Sequence, residues 1–599
     1  MLTENDIIVV RETVERVIGV SLPQKVVIME AAGLELDYDG KNMRIAADGP
    51  NTLGRGLFLL HLAQKSGKPL RICQKRNIAS CGLMVDVSRN AVLKVKTLHR
   101  LIDRMTALGL NLLLLYMEDV YEVEGYPYMG YQRGRYTHAE LREIDDYAAC
   151  RGVEVVPCIQ TLAHMKQLLQ WDNSGIPADQ PDVMLADDER TLRFIEAEID
   201  SVNQCFRSGR IHIGMDEAHG MGLGQYYMLH GAQDRLKLFV RHLCQVTDMC
   251  RSRGLEPIIW SDMLFRLTSG KNDYYDPEAM ADQETLSKIP DVQLCYWDYY
   301  HTDEEFYDIM LEKHASLGKT VFAGGLWTWS GFLPHIKRTE ATLQPALRSC
   351  LRHGIQTVFT TAWGDDGAET DCMLALNLLP LLSEACWLGK TADSQHIAYM
   401  GEALTGIPFK AFKAMGAFYP DERDIRTGKS LIWCDVLFYL TCSQQDAFSA
   451  VADRASKALT VLEGSAKMLE CEYASLLFET IVIKAQLLEA LRPAYLAGDR
   501  AYLAKAVEET LPALASLYEL LLKKHRSLWE RDMKRLGWEV LCLRYSAVIG
   551  RLWDVRDELR DYLDGRLASV EALEEPMLNT SRWGGRQRFS CYISPSCLI

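Results

Sequence analysis

The chain has 599 residues, too many for one ordinary domain, and three are expected. Lys plus Arg number 66 against 81 Asp plus Glu, a net charge of -15, which disfavours nucleic acid or an anionic membrane surface as the main partner. Hydrophobic residues at 48% and charged residues at 25% give the balance of a globular protein. The opening MLTENDIIVVRETVERVIGV has no cationic segment ahead of a long apolar run, and no stretch reaches the roughly 18 apolar residues of a membrane span. A cytoplasmic protein is therefore expected, with the 17 cysteines, none in a CxxC pair, as buried thiols.

Residues 1–78 read as a small α/β domain. A helical opening leads to the strand KVVIMEA and then to a hairpin, LELDYDGKNMRIAA, with Asp39-Gly40 at its turn. The amphipathic stretch GRGLFLLHLAQKSG follows. From Cys81 short apolar runs alternate with segments long enough for helices: CGLMVDV, LNLLLLYM, VEVVPCI, RIHIGM, EPIIWS, DVQLCYW, TVFAGGLW and IQTVFTTAW. Eight such units over residues 79–388 predict a parallel (β/α)8 TIM barrel in an α/β protein. An open doubly wound sheet is disfavoured, since no glycine-rich phosphate loop follows the first strand. Residues 389–599 lack strand signals and predict a helical domain, with Leu511, Leu514, Tyr518, Leu521 and Leu522 at helix-face spacing.

Catalytic groups of such barrels sit at the C-terminal strand ends. Those ends carry Asp86 and Arg89, Glu118 and Asp119, His164, His212 with Asp216 and Glu217, Trp260 and Asp262, Trp297 and Asp298, Trp327 and Trp329, then Trp363, Asp365 and Asp366. Five of the 12 tryptophans thus fall at four consecutive strand ends, a pattern suited to stacking on the C–H faces of a sugar. Glycoside cleavage needs a carboxylic acid for the leaving oxygen and charge stabilisation across the ring. Adjacent carboxylates are poorly arranged to work from opposite faces. If the substrate carries a 2-acetamido group, its carbonyl oxygen can be the nucleophile while the second carboxylate holds the amide.

The segment His212-Ile213-Gly214-Met215-Asp216-Glu217 resembles the His-x-Gly-Gly-Asp-Glu signature of glycoside hydrolase family 20, the β-N-acetylhexosaminidases. GLMVDVSRN, LNLLLLYMED and RGVEVVPCIQTLAH resemble the family's first three strands, so the likeness runs from residue 1 to about 385. It implies Glu217 as acid and Asp216 as the acetamide-holding carboxylate. It also implies a sugar site of Arg89, Asp119, His164, Trp260, Trp297, Trp363 and Asp365, to which Trp327 at the end of strand seven is added. The implied activity is that of an exo-acting, retaining enzyme on terminal N-acetylhexosaminides, without cofactor or metal, with a homodimer left open. The tail resembles that of a compact bacterial intracellular branch. Two departures stand out. Met215 replaces the signature's second Gly, and strand seven lacks the family's acetamide-binding Tyr, for which Tyr296, Tyr299 and Tyr300 are the nearest substitutes, Tyr300 being chosen. The competing readings are a sugar-binding barrel without catalysis and a barrel glycosidase for another sugar. The segment TSRWGGRQRFSCY, with Arg582, Arg586 and Arg588, reads either as a cationic surface stretch or as a segment approaching an active site.

Overall fold

The computed structural model describes residues 2–279, 283–425, 427–438, 448–465 and 467–576. The Arg582, Arg586 and Arg588 segment lies outside the described residues.

Helix α1 (Glu4–Ile18) starts where Thr3 and Asp6 form a capping box, and stops at Gly19, whose φ of 71° suits a residue without a side chain. Strands β1 (Val26–Glu30), β2 (Leu34–Tyr38), β3 (Met43–Ala47) and β4 (Leu70–Gln74) form one sheet in the order β1-β3-β2-β4. The β2–β3 pair is the hairpin expected from Asp39-Gly40. Asp39 Oδ1 accepts from the backbone N–H groups of Lys41 and Asn42, at 2.8 and 2.7 Å, and so closes the turn. Strand β4 had no counterpart among the predicted elements. Its five residues, LRICQ, alternate strictly between half-buried and exposed, but none is fully buried and the run is too short for its period to stand out in the sequence. Helix α2 (Pro50–Ser66) covers the sheet with Leu53, Leu57 and Leu60, all buried.

The eight predicted apolar runs all became barrel strands. They are β5 (Ser80–Asp86), β6 (Leu112–Tyr116), β7 (Glu154–Cys158), β10 (Arg210–His212), β11 (Glu256–Trp260), β12 (Gln293–Trp297), β13 (Lys319–Gly325) and β14 (Thr357–Ala362); a short hairpin, β8 (Ala178–Gln180) and β9 (Val183–Met184), sits in the loop between β7 and β10. The barrel closes with every pairing parallel. A strand such as LLLLY in β6 is buried at all five positions because side chains fill the barrel on one face and helices cover the other. Gly82 is required in β5, since a Cβ there would lie 1.6 Å from the Leu112 carbonyl oxygen. The Arg55 guanidinium of α2 pairs with Glu384 at 2.7 Å, both nearly sealed from solvent, and ties the small sheet's helix to the helix Pro380–Leu388 that follows the barrel.

Two compact units divide the chain, the first comprising 1–326, 339–363 and 376–406, the second 327–338, 364–375 and 407–599. The described part of the second is helical, with long helices Leu469–Leu496, Leu511–Asp532 and Trp538–Leu563. Leu511, Leu514, Tyr518 and Leu521 are buried as their spacing predicts, and Leu522 is half-buried at the edge of that face. Among the described residues no helix is long and apolar enough to cross a membrane.

Candidate active site

Strand β10 is only three residues long, and the chain beyond it turns through left-handed backbone at Gly214 (φ 68°), Met215 (φ 72°) and Glu217 (φ 50°). Non-glycine residues in that region store strain and persist only where their surroundings hold them. Here the fastenings are visible. His212 Nδ1 accepts from Gly214 N–H at 3.1 Å, Gln160 Oε1 accepts from Met215 N–H at 3.2 Å, and Asp262 Oδ2 accepts from Glu217 N–H at 3.1 Å. A Cβ on Gly214 would meet Gln160 Oε1 at 2.1 Å, so glycine is obligatory at that position. Met215 occupies a conformation that a glycine would adopt without strain, which explains a Gly in the family signature; its side chain is fully buried.

The turn delivers two carboxylates to one imidazole. His164 Nε2 lies 3.1 Å from Asp216 Oδ2 and 3.5 Å from Glu217 Oε2. Burial alone would lower the His164 pKa, but the charge and hydrogen bond of Asp216 outweigh it and raise it to about 9. Burial likewise opposes ionisation of Asp216; His164 and the Gln160 amide, which donates to Oδ1 at 2.8 Å, hold it down at about 2. Asp216 is thus a fixed anion, hydrogen-bonded by Gln160 and ion-paired with His164. Glu217 differs: its side chain is 36% exposed, and Oε1 accepts from the Tyr274 hydroxyl at 2.8 Å.

A polar chain leads from Asp216 to Arg89. Gln160 Nε2 also donates to the Tyr116 hydroxyl at 2.9 Å, which in turn donates to Glu118 Oε1 at 3.1 Å; Arg89 Nε donates to the same oxygen at 3.2 Å. Asp86 sets the Arg89 turn by accepting from the N–H groups of Ser88 and Arg89. The guanidinium stands 4.6 Å from the Trp363 ring, a cation–π contact, and Trp363 meets Tyr116 edge-on at 4.6 Å. Trp260 lies 5.9 Å from Trp363 and 4.3 Å from the His212 ring. On the other side Trp297 donates its indole N–H to Asp262 at 3.2 Å and stands 5.2 Å from Tyr274. Burial and then the Asp216 charge push the Asp262 carboxyl up to about 8.

Residues 81–281 match the family model "Glycosyl hydrolase family 20, catalytic domain", and residues 420–590 match "Glycoside Hydrolase 20C C-terminal domain". The barrel is a family 20 glycoside hydrolase domain. Two curated relatives, both named Hexosaminidase D, are 27% identical to it. The bovine (Bos taurus) protein aligns over 248 residues, 40% of this chain and 66% of its own length, and the human (Homo sapiens) protein over 274 residues, 44% and 53%. The chain therefore spans between about half and two thirds of the relatives it matches. A solved structure described as a beta-N-acetylhexosaminidase shares the fold, with a TM-score of 0.50 and 16% identity over 64% of this chain and 92% of that one.

Within the family 20 barrel, Arg89, His164, Asp216, Glu217, Trp260, Trp297 and Trp363 are linked to one another through the contacts above. Asp119 is not part of that chain. It is 2% exposed and pairs with Arg133 at 3.4 Å, while its neighbour Glu118 is the carboxylate on Arg89. Two acidic residues in succession at a strand end leave the sequence silent on which of them turns inward. Tyr300 is half exposed and meets the rings of Trp297 and Tyr299 edge-on, at 6.5 and 6.1 Å; Tyr296 is spent on Asp298, and Tyr299 is buried against Trp297. Trp327 and Asp365 belong to the second compact unit. There Trp327 stacks on Trp329 at 4.2 Å with Arg338 over its ring, and Asp365 precedes the left-handed residues Asp366, Gly367 and Ala368, a loop held by Lys429 and Arg544. His212, a candidate by position, is a fully buried neutral ring, its pKa lowered to about 3 by burial, that fastens the Gly214 turn. Gln160, Tyr116 and Tyr274 were missed. Gln160 and Tyr116 were within reach of the strand-end rule had amides and phenols been counted with the acids and indoles. Tyr274 stands in the polar loop KNDYYDPEA, where nothing local distinguishes it.

Proposed function

We propose that the protein is an exo-acting, retaining β-N-acetylhexosaminidase that removes terminal GlcNAc, and GalNAc where it is presented, by substrate-assisted catalysis. The observation that carries this reading is the shared imidazole. Asp216 and Glu217 leave one turn and face one nitrogen of His164, at 3.1 and 3.5 Å, so they serve one side of a bound sugar instead of flanking it. The nucleophile then comes from the substrate. Glu217 protonates the leaving oxygen, the 2-acetamido carbonyl oxygen attacks the anomeric carbon, and Asp216 accepts the amide N–H and balances the charge of the oxazolinium-like intermediate. Water activated by Glu217 opens that ring with net retention.

The indoles of Trp297 and Trp363 supply apolar surface for the ring, backed by Trp260, which is 1% exposed and packs behind Trp363 and His212, and Arg89, oriented by Asp86 and Glu118, supplies donors for hydroxyls far from the cleaved bond. A sugar gripped at that end leaves no room for a further residue, which favours exo action. The names of the bovine and human relatives agree with this reading. A panel of 4-nitrophenyl glycosides tests it. Turnover is expected on the β-N-acetylglucosaminide and β-N-acetylgalactosaminide, with the plain β-glucoside slower by about 10³-fold or more, since it lacks the nucleophile. Comparable rates on the plain glucoside would defeat the proposal, and no turnover of any member would favour a sugar-binding barrel.

A further inference from the structure

We infer that Tyr274 is a positioning residue for the acid Glu217, and that His219 fixes the direction of its hydroxyl; this rests on the hydrolase reading above. The Tyr274 hydroxyl donates its one hydrogen to Glu217 Oε1 at 2.8 Å. His219 Nε2 lies 3.0 Å from the same hydroxyl, so it must be the donor in that contact. Burial, then the Arg266 charge, lowers the His219 pKa, which leaves a neutral ring protonated on Nε2. The backbone closes the circuit, since His219 N–H donates to the Glu217 carbonyl at 2.5 Å. Tyr274 is itself held, its half-buried ring 5.2 Å from Trp297 and 5.0 Å from the Arg266 guanidinium.

The charged and titratable groups facing Glu217 are thus His164, Asp262, Tyr274 and, through Tyr274, His219 and Arg266. With Oε1 occupied by a donor, the proton that Glu217 delivers is seated on Oε2. In the first step the O–H bond at Oε2 breaks, the proton passes to the glycosidic oxygen, and the C–O bonding pair departs with the leaving group. Tyr274 keeps its own proton throughout. Its task is to fix the carboxyl plane and to favour the anionic form once the proton has gone.

Tyr274→Phe keeps the ring and removes only the donor. On chitobiose, whose leaving group needs the proton, kcat should fall about 10-fold to 10²-fold, with KM within about twofold. On the 4-nitrophenyl N-acetylglucosaminide, which leaves unaided, the fall should be under about threefold. His219→Gln, which retains an N–H donor, should lose less than His219→Ala. Equal losses on both substrates would place the hydroxyl on the sugar instead and would overturn the inference. Wild-type turnover of the chromogenic substrate reads the hydrolase proposal separately. If that is absent, the Glu217 carboxylate stretch in isotope-edited infrared spectra, compared between wild type and Tyr274→Phe, decides the inference: a shifted band supports it and an unchanged one overturns it.

Discussion

Glu217→Gln is expected to lower kcat on chitobiose by more than about 10²-fold, the upper part of the usual range for general acid catalysis. The amide keeps the shape of the side chain, so Tyr274, His164 and the left-handed turn at φ 50° lose little packing. What is lost is the proton for the leaving oxygen. The loss should therefore be smaller on a 4-nitrophenyl glycoside, whose phenolate departs without it, than on chitobiose. A thermal melt within a few degrees of wild type would show that the turn has survived. Losses of the same size on both substrates would remove Glu217 from the role of acid.

Asp216→Asn should act on a different quantity. A thiazoline mimic of the cyclised intermediate presents a cation-like ring to the Asp216 charge, and its affinity should fall about 10²-fold or more, in the range of preorganised charge at a reacting centre. Equal affinity for both proteins would show that Asp216 has another task. The same substitution tests the ion pair with His164. With the His164 pKa raised to about 9 and that of Asp216 lowered to about 2, the pair contributes stability in full between about pH 4 and 6.5. The His164 part is lost as pH rises through 9, and the Asp216 part as pH falls through 2. In Asp216→Asn the wild-type melting advantage should accordingly be greatest near pH 5 to 6 and shrink towards pH 9, read by melting curves across that range.

The barrel was legible because its signal is repetitive and strong. LLLLY and VVPC are apolar almost throughout and TVFTTA is β-branched or aromatic at all but its last position, as parallel strands buried on both faces tend to be, and each is followed by room for a helix. The hairpin was legible for a local reason, the Asp39-Gly40 turn. Strand β4 escaped because its alternation runs for only five residues at the edge of a small sheet and includes no fully buried position. In the site, strand-end position and the family resemblance pointed to Arg89, His164, Asp216, Glu217 and three indoles, and the barrel, which aims those ends at one mouth, brings them into one connected cluster. Position could not say which of Glu118 and Asp119 faces Arg89; that choice is made by Arg133, which reaches Asp119 from a loop 14 residues further along the chain. Nor could it find Tyr274, brought to Glu217 across 57 residues by the path of a loop. Residues set by the barrel were readable, and residues set by loop packing were not.

The claim that the substrate supplies its own nucleophile is tested most directly by weakening that nucleophile and nothing else. A series of 4-nitrophenyl β-glucosaminides bearing N-acetyl, N-fluoroacetyl, N-difluoroacetyl and N-trifluoroacetyl groups keeps the leaving group and the sugar constant, while each fluorine withdraws electron density from the carbonyl oxygen. If Asp216 holds the amide so that this oxygen attacks the anomeric carbon, kcat/KM should drop steeply and in order along the series. A flat series would contradict substrate assistance and would return the nucleophile to a carboxylate of the protein.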